Sequence, residues 1–202
     1  MGGRLAIVGA GGMGRELARA ARDTGQEIVL VSDTPDDIPG YQVIGFDGLR
    51  PDDRVCVAVG SPATRRQLAE RCAGRTFTSV IAPTALCDPT AQHGEGLMLC
   101  DFAMINSRAV IGRHFLCNNY SLVSHDCVIG DFVTFSPRTS CMGNVHIGDD
   151  VFIGAGAVIR NGTPERPLRI GAGAVIGMGA VVVEDVPAGA EVMGVPARLR
   201  GA

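Results

Sequence analysis

A six-residue repeat governs the hydrophobic pattern over the C-terminal two-thirds of the chain. Steps of six from Ile81 to Ile159 give fourteen positions, of which thirteen are apolar or cysteine and only His93 is not. The repeat resumes at Ile170, and glycine often follows the apolar residue, as at Gly130. Neither a helix nor an alternating strand has this period. A short internal repeat predicts a solenoid, whose units are stable only when they stack.

The repeat resembles the hexapeptide repeat of left-handed parallel β-helices, in which three hexads make one triangular coil. Seventeen hexads then make between five and six coils, which end near Pro187. Ile159 and Ile170 lie 11 residues apart, so Thr163–Arg169 are expected to form a loop pushed out at a corner. The tail Gly194–Arg198 is expected to leave the coil.

The first 80 residues show a different pattern, in which short apolar runs alternate with helical stretches. The runs predicted as strands are Arg4–Val8, Glu27–Val31, Gln42–Phe46, Arg54–Val59 and Thr76–Ile81. The stretches predicted as helices are Arg15 to about Asp23, with Gly25 at its C-terminal end, and Pro62 to about Cys72, capped by Ser61. We therefore expect an α/β N-terminal domain with a small Rossmann-like parallel sheet over residues 1–80. A left-handed parallel β-helix with a C-terminal tail is expected over residues 81–202.

Composition limits the class of protein. The chain has 202 residues with 28 glycines and 4% aromatic residues, which suits tight coils. Its net charge of -3 argues against a nucleic-acid partner. A secretory or membrane-spanning stretch is not evident, so the expected location is the cytoplasm, without a membrane partner. The seven cysteines contain no Cys-x-x-Cys pair and are expected to be reduced core residues.

A glycine-rich loop connects the first predicted strand to the first predicted helix. The residues of this loop that we expect to contact a ligand are Gly9, Gly11, Gly12, Met13 and Gly14. Glycines let phosphate oxygens approach the backbone, and a helix N-terminus favours negative charge. Asp33 follows Gly9 by 24 residues, at the end of the second strand, and can accept ribose-like hydroxyls. A full dinucleotide site uses two mononucleotide-binding halves, and only one fits before the repeat begins. This favours a mononucleotide or a nucleotide sugar over NAD as the ligand. A tight turn without a ligand is the alternative.

One histidine falls at a corner of the predicted coil. His125 is the third residue of the hexad that starts at Val123, so its side chain should point away from the interior. Asp126 follows it, and Asn118 lies one hexad earlier, where we expect it near the same edge. An imidazole can act as a general base near neutrality, and a carboxylate can fix its tautomer. From spacing alone, an ordinary surface histidine remains the alternative.

Several motifs together resemble one family. The stretch Asn118–Gly130 (NNYSLVSHDCVIG) is similar to the bacterial sugar O- and N-acetyltransferases of the NeuD/PglD type, within the hexapeptide-repeat acyltransferases. So are Cys141–Gly148, the closing Gly194–Arg198, the glycine loop and Val57–Gly60. The resemblance covers nearly the whole chain in the same domain order. It implies acetyl transfer from acetyl-CoA to the amine of an amino sugar nucleotide, of the UDP-4-amino-sugar type. The alternatives are O-acetylation of a sugar of the sialic-acid type and a catalytically dead nucleotide-binding trimer.

The resemblance also implies roles for single residues. The family forms homotrimers, with active sites between neighbouring coils and the sugar nucleotide on the N-terminal loop. The residues that match its site are the general base His125, the assisting Asp126 and Asn118, the oxyanion-facing amide of Gly143, and Ala155 and Gly173 beside acetyl-CoA. The chain departs from the family at Met13, where histidine is common, and at Asp126, where glutamate is common.

We expect no metal. The four histidines lie 21, 11 and 21 residues apart, so no close pair exists. A hexapeptide-repeat carbonic anhydrase needs such a pair to hold zinc, so the ligand spacing argues against this alternative function.

Overall fold

The N-terminal part of the chain is a parallel sheet between two helices. The structure is a computed structural model that describes residues 3–22, 25–34 and 37–200. The strands of this sheet are β1 (Leu5–Val8), β2 (Ile28–Val31), β3 (Gln42–Ile44), β4 (Arg54–Val57) and β5 (Thr76–Phe77). The helices are α1 (Gly12–Ala21) and α2 (Pro62–Arg71). The strand order is β3-β2-β1-β4-β5, and all neighbours run parallel.

The apolar run of β1 is buried on both faces of the sheet. Ile7 packs on one face with Leu17 of α1. Val8 packs on the opposite face with Ala69 of α2. Strand β1 lies in the middle of the sheet, with β2 on one side and β4 on the other. The chain therefore adds β2 and β3 on one side of β1 and then crosses to add β4 and β5 on the other side. A crevice outside the strand ends forms at such a switch point, and the glycine loop lies there.

The N-terminal elements differ from the prediction mainly at their ends. Helix α1 begins at Gly12 rather than Arg15, so part of the glycine loop is its first turn, and its predicted end at Asp23 lies outside the described residues. Helix α2 is capped as predicted, since the Ser61 hydroxyl accepts a hydrogen bond from the Thr64 N–H at 3.3 Å. Strand β3 ends before Phe46, which starts a 3-10 turn.

The remainder is a left-handed parallel β-helix of short strands on three faces. The first face holds Val80–Ile81, Met98–Leu99, Leu116–Cys117, Thr134–Phe135, Phe152–Ile153, Val175–Ile176 and Glu191–Met193, followed by the antiparallel Arg198–Leu199. The second face holds Leu86–Cys87, Met104–Ile105, Leu122–Val123, Ser140–Cys141, Val158–Ile159 and Val181–Val182. The third face holds Gln92–His93, Val110–Ile111, Val128–Ile129, Val145–Ile147 and Leu168–Ile170.

Three corners connect these faces. The first corner joins the first face to the second, the second corner joins the second to the third, and the third corner leads into the next coil. Nine non-glycine residues have φ between 54° and 62°, and they recur every six residues from Phe102 to Asp150. Each stands at a successive corner in the left-handed region, which asparagine and aspartate tolerate best among non-glycine residues. Parallel pairing above and below holds the backbone in this otherwise costly conformation.

The interior is filled by the residues that the six-residue repeat predicts. Ile105, Phe135 and Ile153 are fully buried and belong to one continuous core. The first coil is the open end, because Ile81 stays 41% exposed and His93 is exposed. The interior side chains are therefore buried by the coils stacked on either side, and those of the first coil, which has a neighbour on one side only, are less buried.

The coil departs from the prediction in two places. The pushed-out loop ends two residues earlier than predicted, since Leu168 and Arg169 already pair in the third face. The coil also continues beyond Pro187, because Glu191–Met193 adds a further strand to the first face. The tail then folds back, and Arg198–Leu199 pairs antiparallel with that strand.

The N-terminal sheet packs on the first face of the coil. Met98 and Leu116 point outward from the coil and are buried with Leu17 and Ala18 of α1. The described chain contains no helix with the length and hydropathy that crossing a membrane would require.

Candidate active site

His125 lies at the second corner with its side chain directed outward, as predicted. The side chain is 53% exposed, and its Nδ1 lies 2.7 Å from Oδ2 of Asp126. A carboxylate on Nδ1 favours the tautomer with the proton on that nitrogen. Nε2 has no hydrogen-bond partner among the residues that the structure describes. This nitrogen can therefore take a proton from a bound molecule.

Arg108 holds the carboxylate that faces His125. Its Nε lies 2.8 Å from Oδ1 of Asp126 and its Nη2 lies 3.0 Å from Oδ2. The hydrogen bonds from Arg108 and then from His125 lower the pKa of Asp126 to about 2. Asp126 is therefore an anion at neutral pH. No sequence motif marks Arg108, although its position 18 residues before Asp126 places the two residues one coil apart at the same corner.

Gly143 lies against the imidazole face of His125. It follows His125 by 18 residues and so stands at the second corner of the next coil. A Cβ at this position would lie 2.5 Å from Cε1 and 2.6 Å from Nε2 of His125, so any other residue would displace the imidazole. No acceptor for the Gly143 N–H occurs within the described chain. A backbone N–H without an acceptor, on a residue that contacts the imidazole, is suited to receive a developing oxyanion.

The loop pushed out after Ile159 is hydrogen-bonded to the residues of this site. The Gly162 N–H donates to the Gly143 carbonyl at 3.0 Å, and the Leu168 N–H donates to the Asn144 carbonyl at 3.2 Å. Residues 160–163 and 166–168 form, with 183–185, a groove of about 530 Å³ along the same corner. An elongated molecule that reaches His125 can therefore extend along this groove.

The glycine loop lies at a different corner. Gly11 caps α1 and has no side chain to accept from the first N–H groups of the helix, which leaves them available to an anion. A Cβ on Gly9, whose φ is +116°, would lie 2.8 Å from the Ala58 carbonyl oxygen. The loop reaches the first corner of the coil, where Nδ2 of Asn118 lies 3.9 Å from Sδ of Met13.

Asp33 is already paired in the structure. Both of its carboxylate oxygens accept hydrogen bonds from Arg71, each at 2.8 Å. The hydrogen bond from Arg71 lowers the pKa of Asp33. Since the pair is exposed, a hydroxyl-bearing ligand would share or displace Arg71, and the ligand role of Asp33 remains a prediction.

Known proteins match both parts of the chain. The model of the PglD N-terminal domain matches residues 4–72, and that of the bacterial transferase hexapeptide (six repeats) matches residues 126–161. GDP-perosamine N-acetyltransferase of Escherichia coli O157:H7 is 39% identical over 95% of this chain and 94% of its own length. The chain belongs to the NeuD/PglD-type sugar acyltransferases.

Solved structures of similar proteins have the same fold. WeeI from Acinetobacter baumannii AYE is 38% identical with a TM-score of 0.92, covering 98% of this chain and 99% of its own. The acetyltransferase domain of PglB from Neisseria gonorrhoeae FA1090, in complex with acetyl coenzyme A, is 34% identical with a TM-score of 0.91, covering 99% and 100%. PerB from Caulobacter crescentus, in complex with CoA and GDP-perosamine, is 29% identical with a TM-score of 0.88, covering 98% of each chain.

In this sugar acyltransferase the predicted site residues fall into separate groups. His125, Asp126 and Gly143 meet at the second corner, whereas Asn118 meets the glycine loop at the first. The expectation that Asn118 lies near the same edge as His125 is wrong within one chain. Six residues advance the chain by one face, and only 18 return it to the same corner.

Ala155 and Gly173 occupy two further positions in the sugar acyltransferase. Ala155 lies at the first corner, where its carbonyl accepts the Gly179 N–H at 2.9 Å. Gly173 lies at the third corner, where its N–H donates to the Asp149 carbonyl at 2.8 Å. Their contact with acetyl-CoA remains a prediction.

Arg65, which no sequence motif marks, holds the N-terminal sheet on the coil. Its side chain is fully buried. Its guanidinium donates to the carbonyl oxygens of Val59, Gly60, His114, Phe132 and Val133 at 2.6 to 3.2 Å. Gly60 follows β4 beside the glycine loop, so Arg65 fixes that loop relative to the coil.

Proposed function

We propose that this chain transfers the acetyl group of acetyl-CoA to the amine of a nucleoside-diphosphate amino sugar, with His125 as the general base. The observation that carries the proposal is the pairing of Nδ1 with Asp126 while Nε2 lies against Gly143, whose N–H has no acceptor within the described chain. The relative named for GDP-perosamine acetylation, and the neighbour that holds CoA and GDP-perosamine, support this choice of substrates. They favour GDP as the nucleotide.

Three residues of the second corner act in the proposed acetyl transfer. Nε2 of His125 takes the proton of the amine as its nitrogen attacks the thioester carbon. The Gly143 N–H donates to the oxyanion of the tetrahedral intermediate. When the C–S bond breaks, the imidazolium returns its proton to the departing thiolate. Asp126 stays ionised throughout and stabilises the imidazolium.

The second face supports a homotrimer. Its outward side chains Leu86, Met104 and Val158 are 53%, 39% and 38% exposed and form an apolar stripe that Ser140 interrupts. Exposed apolar stripes of this kind mark interaction surfaces. We infer that three chains pack with this face inward. The first corner of each chain, with Asn118, then lies beside the second corner of its neighbour, with His125.

Steady-state kinetics test the proposed activity. The acceptors are GDP-, UDP- and dTDP-linked amino sugars, with the matching hydroxyl sugars as the test of O-acetylation. For His125→Ala we expect kcat to fall by about 10²–10⁴, the usual effect of losing a general base, with the KM for acetyl-CoA nearly unchanged. His93→Ala is the control, because His93 is exposed at the open end of the coil. Full turnover by His125→Ala would refute the base assignment.

A further inference from the structure

The N–H of Gly143 belongs to a peptide group whose carbonyl faces a buried thiol. That carbonyl is the one of Met142, and the Sγ of Cys127 lies 3.1 Å from its oxygen. The Sγ of Cys141 lies 3.7 Å from the same oxygen, and the two sulfurs are 4.0 Å apart. Both cysteines are fully buried in the coil. The Met142 carbonyl therefore points inward.

The direction of this carbonyl fixes the direction of the oxyanion donor. A peptide group is planar and trans, so its C=O and N–H point in opposite directions. Holding the Met142 carbonyl toward the interior therefore turns the Gly143 N–H toward the surface, where the His125 ring lies. The hydrogen bond also polarises the peptide group and makes its N–H a better donor.

We propose that Cys127 is a positioning residue for acetyl transfer, whose thiol holds the Met142–Gly143 peptide with its N–H aimed at the reacting thioester oxygen. This inference rests on the proposed function. The thiol form is required, because a carbonyl oxygen only accepts hydrogen bonds. Cys127 also follows His125 by two residues in the same turn, so a single turn places both the base and the group that orients the oxyanion donor.

Packing alone does not explain a thiol at this position. Ala109 stands 18 residues earlier, in the same corner position of the preceding coil, and is fully buried. An alanine therefore fits the corner without distorting the coil. The sulfur that Cys127 adds contacts the carbonyl oxygen of Met142, and this carbonyl belongs to the same peptide group as the Gly143 N–H.

The test compares Cys127→Ala with Cys127→Ser. Alanine removes the donor, so we expect kcat to fall by about three- to tenfold with the KM values for acetyl-CoA and acceptor unchanged, the pattern of an interaction made in the transition state. Serine restores an O–H donor, so kcat should recover toward the wild-type value. Cys117→Ala is the matched control, because Cys117 is equally buried and its thiol makes no hydrogen bond within the described chain.

Two outcomes would overturn the proposal. One is a Cys127→Ala enzyme with wild-type kcat, and the other is a Cys127→Ser enzyme as slow as the alanine variant while its thermal midpoint matches the wild type. Turnover is measured with the amino-sugar acceptor and, separately, as slow hydrolysis of acetyl-CoA, which needs the same oxyanion donor. If the wild type acetylates no acceptor, the proposed function fails, while the hydrolysis rates still decide the role of Cys127.

Discussion

At the scale of single residues, the carboxylate of Asp126 is the partner of Nδ1 of His125. Replacing Asp126 by Asn keeps the size of the side chain but removes the anion that Arg108 and His125 share. We expect Asp126→Asn to lower kcat by about 10- to 100-fold, the usual effect of losing a carboxylate behind a functional histidine. The KM for acetyl-CoA should change little. A variant with wild-type kcat would show that the carboxylate is only structural.

The same substitution gives a pH signature. The folded-state pKa of Asp126 is about 2, below the unfolded value of about 3.9. A depressed pKa stabilises the fold fully above the unfolded value, and that contribution is lost as pH falls through the folded value. The thermal midpoint of the wild type should therefore exceed that of Asp126→Asn near pH 6, and the gap should close between about pH 4 and 2. A gap that does not change with pH would contradict the ion pair.

Sequence reasoning reached some residues of the site and missed others for a definite reason. His125 and Gly143 stand in motifs that can be read directly along the chain. Arg108 and Cys127 act through contacts made one coil away, at a spacing of 18 or 15 residues. These contacts become visible once the triangular coil is folded and the corners are aligned.

At the level of elements, a six-residue repeat is enough to predict the coil, because the burial of every sixth side chain defines its faces. The ends of elements are harder to predict. Helix α1 begins inside the glycine loop at Gly12, since glycines there can adopt helical angles as well as turn angles. The run Thr76–Ile81 looks continuous but splits between two sheets, because the outward Val80 pairs with the coil and no longer with β4.

The sequence predicts helix α2 and its Ser61 cap but not its contacts, and Arg65 on this helix connects the sheet to the coil. Desolvation lowers the pKa of Arg65 to about 10, which leaves it charged at neutral pH. Arg65→Met removes the donor to the carbonyl oxygens of Val59, His114 and Phe132. The Gly60 and Val133 carbonyls keep hydrogen bonds from Thr134 and Leu116. We expect a loss of about 3 kcal/mol in unfolding free energy, by the cost of unpaired buried groups. The KM for the sugar nucleotide should rise while the KM for acetyl-CoA stays constant, because the glycine loop shifts relative to the coil.

Arg66 provides the matched control on the same helix. It also bridges to the coil, through Asp150 at 2.8 Å, but both side chains are about one-third exposed. Arg66→Met should therefore cost only about 1 kcal/mol. Equal losses for the two variants, in urea unfolding and in acceptor KM, would show that Arg65 has no special role.

At the scale of the whole molecule, one chain holds both halves of the proposed site, at different corners. The glycine loop and Asn118 lie at the first corner, and His125 with Gly143 lies at the second. The apolar second face separates them. A threefold assembly around that face would join the acceptor half of one chain to the base half of the next, through a heterologous contact that closes into a ring.

Mixed trimers test this arrangement. Gly12→Asp disables the acceptor half, because the negative charge of the new side chain repels a diphosphate. The helix should persist, since a Cβ at Gly12 meets open space and an acidic residue in the first turn is favourable to the helix dipole. His125→Ala disables the base half. Each variant alone should be nearly inactive. In random 1:1 trimers, a site is intact when a Gly12→Asp chain supplies His125 and its His125→Ala neighbour supplies the glycine loop. Each condition holds for half of the chains, so about one quarter of the sites, and of the wild-type activity, should be restored. If each site lay within one chain, the mixture would stay as inactive as its parts.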